Sequence, residues 1–245
     1  MVSVQLMEFH MIIKRPSEAR GHARYGWLDA RHTFSFADYV DPDEMGWGVL
    51  RVINEDRVQP DSGFGRHGHR DMEIVTYLLG GSLEHRDSLG NGGLIRRGEV
   101  QRMSAGTGIL HSEMNPSHDE VAHLLQIWIE PARRGDPPGY EQQALPADEL
   151  RGALRLVASP DGTGGSLRIG QDARLYAAIL AAGETVEHSL VGNRAAYVHV
   201  VRGALDVNGI ALTGGDGAKI AGETHLLFQA GEESEFLLFD LPPLQ

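Results

Sequence analysis

The sequence predicts an all-β protein built as two β-barrel domains with few short helices. Three observations carry that expectation: apolar runs of strand length recur between glycines and prolines, helical patterns are scarce, and two segments of the second half echo two of the first. Short strands at such spacing are the mark of sandwiches and barrels.

Taken in chain order, Phe34 and Phe36 alternate in a strand pattern and are candidates for lining an apolar pocket, with core packing as the competing role. Ile74-Val75-Thr76-Tyr77-Leu78-Leu79 is rich in β-branched and aromatic residues and stops at Gly80-Gly81. Ser82-Leu83-Glu84-His85 runs into Asn91-Gly92-Gly93, and His123-Leu124-Leu125-Gln126-Ile127-Trp128-Ile129 closes at Pro131. The best helical signal is Pro146-Ala147-Asp148-Glu149-Leu150, whose proline and acids suit a first turn; Gly152 keeps it short.

Between the halves, residues 131–139 are rich in turn formers and poor in large apolar groups. The expected domains are therefore 1–135 and 136–245. Tyr77-Leu78-Leu79-Gly80-Gly81-Ser82-Leu83 is echoed by residues 198–205, and residues 98–106 by 215–222. Such an echo points to a duplication in which each half is a barrel of similar topology.

Composition narrows the function. An apolar content of 41% and a charged content of 23% belong to an ordinary globular protein. Thirty-four acidic against 22 basic residues give a net charge of −12, which repels a phosphate backbone and argues against direct nucleic-acid binding. In the opening residues 1–13, Glu8 and His10 interrupt the apolar stretch, and Lys14 and Arg15 follow it where a secretory signal would place them before it. With no apolar run long enough to span a bilayer, the expectation is a cytoplasmic protein without membrane contact.

The chemistry resides in Gly65-Arg66-His67-Gly68-His69 and His111-Ser112-Glu113. In a strand, residues i and i+2 share a face, so His67 projects with His69 and His111 with Glu113. Two such strands facing one another bring three imidazoles and one carboxylate to a point, a donor set for one divalent first-row metal. The chain has no cysteine, so the donors are nitrogen and oxygen, and a closed structural zinc site, which leans on thiolates, is the weaker alternative.

Other polar residues carry smaller expectations. Glu73, an even number of residues after His69, would hold an imidazole by a hydrogen bond if the strand is unbroken, or pair with Arg70 or Arg86. His10, His22, His118, His123, His199 and His225 read as surface or satisfied core residues. Gly63-Phe64-Gly65-Arg66-His67-Gly68 spells G-x-G-x-x-G but runs into a strand, where a dinucleotide fingerprint must open a helix. In the second half, the positions corresponding to the ligands are Ser189, Val191 and a place near Leu227, so no metal site is expected there; His188, close by, reads as structural.

The order of these motifs resembles the cupin superfamily, and more closely the pirin family, among them the bacterial pirin-like quercetin dioxygenases. The residues that carry the resemblance are Arg31-His32-Thr33-Phe34-Ser35-Phe36, Leu50-Arg51-Val52-Ile53-Asn54, His69-Arg70-Asp71-Met72-Glu73, His85-Arg86-Asp87-Ser88-Leu89-Gly90-Asn91, and Ser104 through Glu113. The resemblance implies a bicupin of two jelly-roll barrels, with His67, His69, His111 and Glu113 as metal ligands. It implies a flavonol such as quercetin and dioxygen as substrates, and ring opening with loss of carbon monoxide. Glu113 would be both ligand and general base. Fe(II) is the first expectation, since nitrogen and oxygen donors with open positions suit oxygen chemistry; manganese, cobalt, nickel, copper or zinc fit the same donors. The alternative is a non-enzymatic metal-binding redox sensor that binds a transcription or metabolic protein partner. Two departures stand out: Gly68 replaces the family's usual proline, and Arg66 stands where a smaller or apolar residue is common.

Overall fold

In the strand Ala122–Ile129 alternate side chains serve two different cores. Leu125, Ile127 and Ile129 point one way into a buried cluster shared by both halves of the chain, while Leu124 joins a separate cluster with Leu78, Leu83 and Ile95. Period-two alternation makes this possible, and the absence of an exposed face explains why the run reads as continuously apolar. The computed structural model describes residues 11–244, so the expectations for Glu8 and His10 lie outside the described residues.

The strands assemble into two copies of one plan. Each copy has a seven-stranded and a four-stranded sheet. In the first, the larger sheet runs Gly139–Ala144, Glu99–Ser104, Glu73–Gly80, Ala122–Ile129, Leu50–Val58, Leu28–His32, Gly21–Arg24. Its smaller sheet runs Gly63–His69, Ile109–Met114, Ser82–Asp87, Gly92–Arg96. In the second, the larger sheet runs Met11–Arg15, Gly217–Ala221, Ala195–Arg202, Ser234–Leu241, Arg174–Leu180, Arg155–Ser159, Leu167–Arg168. Its smaller sheet runs Thr185–Ser189, His225–Ala230, Ala204–Val207, Ile210–Thr213. The echoed segments occupy equivalent strands and turn on equivalent glycines: Gly81 with Gly203 and Gly106 with Gly222, all at positive φ. The all-β bicupin architecture is therefore as expected.

Strand exchange ties the copies together. Met11–Arg15 pairs antiparallel with Gly217–Ala221, and Gly139–Ala144 pairs with Glu99–Ser104, so pairing crosses position 135/136 in both directions. The two larger sheets share one core, in which Ile53, Val75 and Ile127 meet Leu175, Leu237 and Phe239. Full burial of each such side chain contributes about 1.5–3 kcal/mol. Inside the second barrel Val198, Leu205, Leu226, Phe228, Phe236 and Leu238 fill the space between its sheets. Ser189 and Leu227 lie on the paired strands Thr185–Ser189 and His225–Ala230, and both clusters of metal-competent side chains among the described residues lie in the first barrel.

Helices are short: Ala147–Leu150 behind Pro146, and two single 3-10 turns at Ser17–Ala19 and Thr163–Gly165. No helix among the described residues is long and apolar enough to cross a membrane. One expectation needs correction. Residues 33–36 are not a strand, because Leu28–His32 ends at His32 and Phe36 makes only an isolated bridge to Tyr39. Phe34 packs in the inter-sheet core against Tyr197, and Phe36 alone turns toward the first barrel's interior.

Gly81 (φ +67°) permits the tight turn between two sheets, where an added Cβ would stand 2.6 Å from the Val121 carbonyl oxygen. Gly90 (φ +88°) has open space around it. Gly81→Ala should therefore cost roughly 2–4 kcal/mol in urea unfolding, and Gly90→Ala about 1 kcal/mol for the left-handed backbone alone. Equal losses at the two positions would contradict the steric reading of Gly81.

Candidate metal centre

His67 and His111 stand directly opposite each other where Gly63–His69 pairs with Ile109–Met114. These strands are neighbours in one sheet and do not face each other across the barrel. Directly opposed side chains have Cβ atoms about 4.5–5.5 Å apart, close enough for two imidazoles to converge. Their Nε2 atoms are 3.1 Å apart. Two nitrogens bound about 2.1 Å from one ion at a right angle would stand about 3.0 Å apart. His69 completes the group: the donor atoms of His67, His69 and His111 lie within 4.8 Å of one another. The ring arrangement and spacing fit three ligands of one divalent ion.

Glu113 takes a different position. The ladder shifts register between His111 and Glu113, which sets Glu113 opposite Phe64. Its carboxylate groups with His85 and His111, again within 4.8 Å, so His111 is common to both clusters. Gln126 Nε2 donates to Glu113 at 2.5 Å and Thr76 Oγ1 at 3.4 Å. Those donors hold a carboxylate oxygen toward the imidazoles and fix the side chain before any ion arrives.

Hydrogen bonds also select nitrogens. The Gly65 carbonyl oxygen lies 2.8 Å from His67 Nδ1 and can only accept, so the proton sits on Nδ1 and the Nε2 lone pair is free for a metal. Burial pushes His69 down to about 4 and His111 to about 3, with the neighbouring imidazoles adding to both shifts. These rings are neutral, metal-competent bases at pH 7. Burial raises Glu113 to about 7 against the opposing hydrogen bond from Gln126. A divalent ion would reverse that cost by supplying the positive charge that a buried carboxylate lacks.

The ligand candidates open into a cavity of about 370 Å³. Trp27, Phe36, Phe64 and Trp128 give it aromatic walls, with Trp27 edge-on to Phe64 at 5.2 Å and Phe36 edge-on to Trp128 at 5.4 Å. Its polar lining adds His32, Asn54, Asp56 and Gln126. Burial, and then the charge of Glu113, raise Asp56 to about 8, and its Oδ1 has no hydrogen-bond partner within the protein.

Several sequence expectations change here. Glu73 neither holds an imidazole nor pairs with Arg70 or Arg86. A turn with Asp71 at φ +48° separates it from His69, and it accepts a hydrogen bond from Ser104 Oγ at 2.6 Å on the other side of its sheet. Arg66 alternates outward and is exposed, so its charge lies on the face away from the imidazoles. Gly68 lies opposite Leu110, whose side chain an added Cβ would meet at 3.1 Å. His22, His118, His123 and His188 pair with Asp29, Asp61, Glu55 and Asp240 at 2.8–2.9 Å. His225 lies 3.6 Å from Glu187, and His199 departs from the satisfied-core reading because its buried Nδ1 has no partner. Sequence reasoning missed Asp56, Gln126 and His85. Only His85 had a local signal, its place two residues before Asp87 in a strand pattern.

In metal-free protein, Glu113 keeps its proton from its ordinary 4.5 up to about 7, whereas the unfolded chain has already lost it. Stability therefore falls as pH rises through that window and stays reduced above it. His69 and His111 impose the opposite cost, which grows as pH falls from 6.5 toward about 4 and about 3. In chelator, Glu113→Gln should melt roughly 5 °C above wild type at pH 8 and less than about 2 °C above it at pH 5. Equal melting at pH 8 would contradict an ionisation cost at Glu113.

A family model described as Pirin matches residues 14–129, and one described as the quercetinase C-terminal cupin domain matches residues 156–241. The chain is 48% identical over 234 residues to a quercetin 2,3-dioxygenase of Escherichia coli (strain K12), covering 96% of this chain and 100% of that one. It is 42% identical over 231 residues to a pirin-like protein of Caulobacter vibrioides, covering 94% and 99%. A crystal structure of the bacterial pirin YhhW from Escherichia coli in complex with nickel(II) matches with a TM-score of 0.92 at 47% identity, covering 96% of this chain and 100% of that one. Two matching domains in order, near-complete coverage and a shared fold lead to one conclusion: the chain belongs to the pirin family, as a bicupin.

Proposed function

We propose that the protein is a metal-dependent dioxygenase that cleaves a flavonol such as quercetin with loss of carbon monoxide, using one divalent ion held by His67, His69, His111 and Glu113. The observation that carries this reading is the aromatic-walled cavity into which all four side chains open. Its volume of about 370 Å³ falls in the span of small-molecule sites, about 300–1,000 Å³. A regulator that only reports redox state would need the ligands but not the cavity.

When bound, the ion supplies Lewis acidity that lowers the pKa of a coordinated hydroxyl. Fe(II) is the first choice on oxygen chemistry, and nickel(II), the ion in the Escherichia coli structure, is the natural comparison. The remaining work belongs to the chain. Trp27, Phe36, Phe64 and Trp128 hold the flat rings and exclude water. Glu113 would accept the 3-hydroxyl proton on a carboxylate oxygen while Gln126 donates to it. Asp56, whose burial favours the neutral form, lines the same cavity and could donate to a substrate oxygen as a carboxylic acid. Both atoms of dioxygen enter the opened product and one ring carbon leaves as carbon monoxide, so the equation balances without another reductant.

Fe(II)- or nickel-loaded protein should consume quercetin in air at a rate that His67→Ala reduces to that of the free ion. His111→Ala should contain no stoichiometric metal by elemental analysis. Phe36→Ala should raise KM about tenfold with a smaller change in kcat, as expected for lost ring packing. Metal-loaded protein that leaves quercetin intact would refute the enzyme reading and favour a regulator with a protein partner.

A further inference from the structure

We propose that His85 and Asp87 are positioning residues for His111: a hydrogen-bonded chain from Asp87 through His85 holds the His111 nitrogen that faces away from the metal. The proposal rests on the reading of His111 as a metal ligand. It gives a role to the segment His85 through Asn91, which neither the ligand set nor the cavity lining uses.

The strands place these groups in line. Ile109–Met114 has Gly63–His69 on one side and Ser82–Asp87 on the other, with His111 opposite Asp87 and Glu113 opposite His85. His111 Nε2 lies 3.1 Å from His67 Nε2, and His111 Nδ1 lies 3.5 Å from His85 Nδ1. His85 Nε2 in turn lies 3.4 Å from Asp87 Oδ2. Only one assignment of protons serves all three links. An Nε2 lone pair for the metal requires the His111 proton on Nδ1, which makes His85 Nδ1 the acceptor. The His85 proton is then on Nε2, donated to the carboxylate.

The far end is anchored. Asp87 Oδ1 accepts from the backbone N–H groups of Leu89 at 2.9 Å and Asn91 at 3.0 Å, and Oδ2 accepts from Asn91 Nδ2 at 2.9 Å. Tyr140 stacks on the His85 ring at 4.7 Å and 25°, its own hydroxyl donating to Gln142 Oε1 at 2.8 Å. The side chains of His85 and Asp87 are both 0% exposed, so water does not compete for these bonds. Outer partners of this kind fix the tautomer and ring plane of a metal-bound histidine, and their loss typically weakens metal binding about 10–100-fold.

Asp87→Asn is the discriminating variant. Its carbonyl can still accept from the backbone N–H groups of Leu89 and Asn91, but its amide presents N–H to His85 Nε2 and to Asn91 Nδ2. That favours the other His85 tautomer and sets two N–H groups against each other at His111. Cobalt(II) titrated into wild type, Asp87→Asn, His85→Phe and His111→Ala should bind with affinity reduced about 10–100-fold in the first two variants and be lost in the third. The visible cobalt bands should shift in Asp87→Asn, and the paramagnetically shifted, exchange-protected N–H resonance of His111 should disappear, with far-UV dichroism unchanged. His85→Phe keeps the ring stack on Tyr140 and serves if Asp87→Asn does not fold. Cobalt affinity within twofold of wild type and unaltered bands in the folded variants would overturn the proposal. Complete loss of cobalt in His85→Phe would overturn it by making His85 a ligand. A wild type that takes up no cobalt would overturn the metal reading and this proposal together.

Discussion

The structure depends on strands that are buried on both faces, so that each must satisfy two cores with alternate residues. The outward faces of the two larger sheets are apolar and join in one cluster. The inward faces are free to differ, and they do. In the first barrel they carry Asn54, Asp56, Thr76, Gln101 and Gln126, all buried. The equivalent strands of the second carry Ala178, Leu180, Val198, Val200, Ile220, Phe236 and Leu238. Changing one face of a strand leaves the other face's packing intact, which is how one plan yields a cavity with buried polar groups in one copy and a filled core in the other.

A polar interior is expensive. Buried carboxyls and imidazoles, each favoured in its neutral form, are held together by hydrogen bonds that fix direction more than they add stability. In Glu113, Asp56, His69 and His111 the folded protein stores groups whose ordinary ionisation it suppresses. A cation bound by the proposed ligands would satisfy three lone pairs and one negative charge at once, which would link metal affinity to fold stability. The interior of the second barrel is apolar, and its larger sheet shares a core with that of the first, which backs the site.

Much of this was legible in the sequence, for local reasons. His67 with His69 and His111 with Glu113 need only the two-residue repeat of a strand, and the duplication needs only equivalent glycines at equivalent turns. What escaped was nonlocal. Nothing near Met11 announces that it pairs with Ala221, and nothing near Gly139 announces Ser104. Gln126 sits within an apolar-looking run, and Asn54 and Asp56 alternate with Glu55 and Arg57 in a charged stretch that looks solvated, so only the assembled barrel reveals which of these polar groups face its interior. Glu73 was misplaced because its reading assumed a continuous strand, and the left-handed Asp71 breaks it. Phe34 and Phe36 looked alike in sequence, but the chain leaves the sheet after His32 and sends them to different cores.

The most direct test of the central claim is an anomalous-scattering map from nickel-loaded crystals of this protein. The account predicts one strong peak about 2.1 Å from nitrogens of His67, His69 and His111 and from a carboxylate oxygen of Glu113. A peak at another histidine–carboxylate pair, such as His188 with Asp240, or a centre from which Glu113 stays remote, would contradict it.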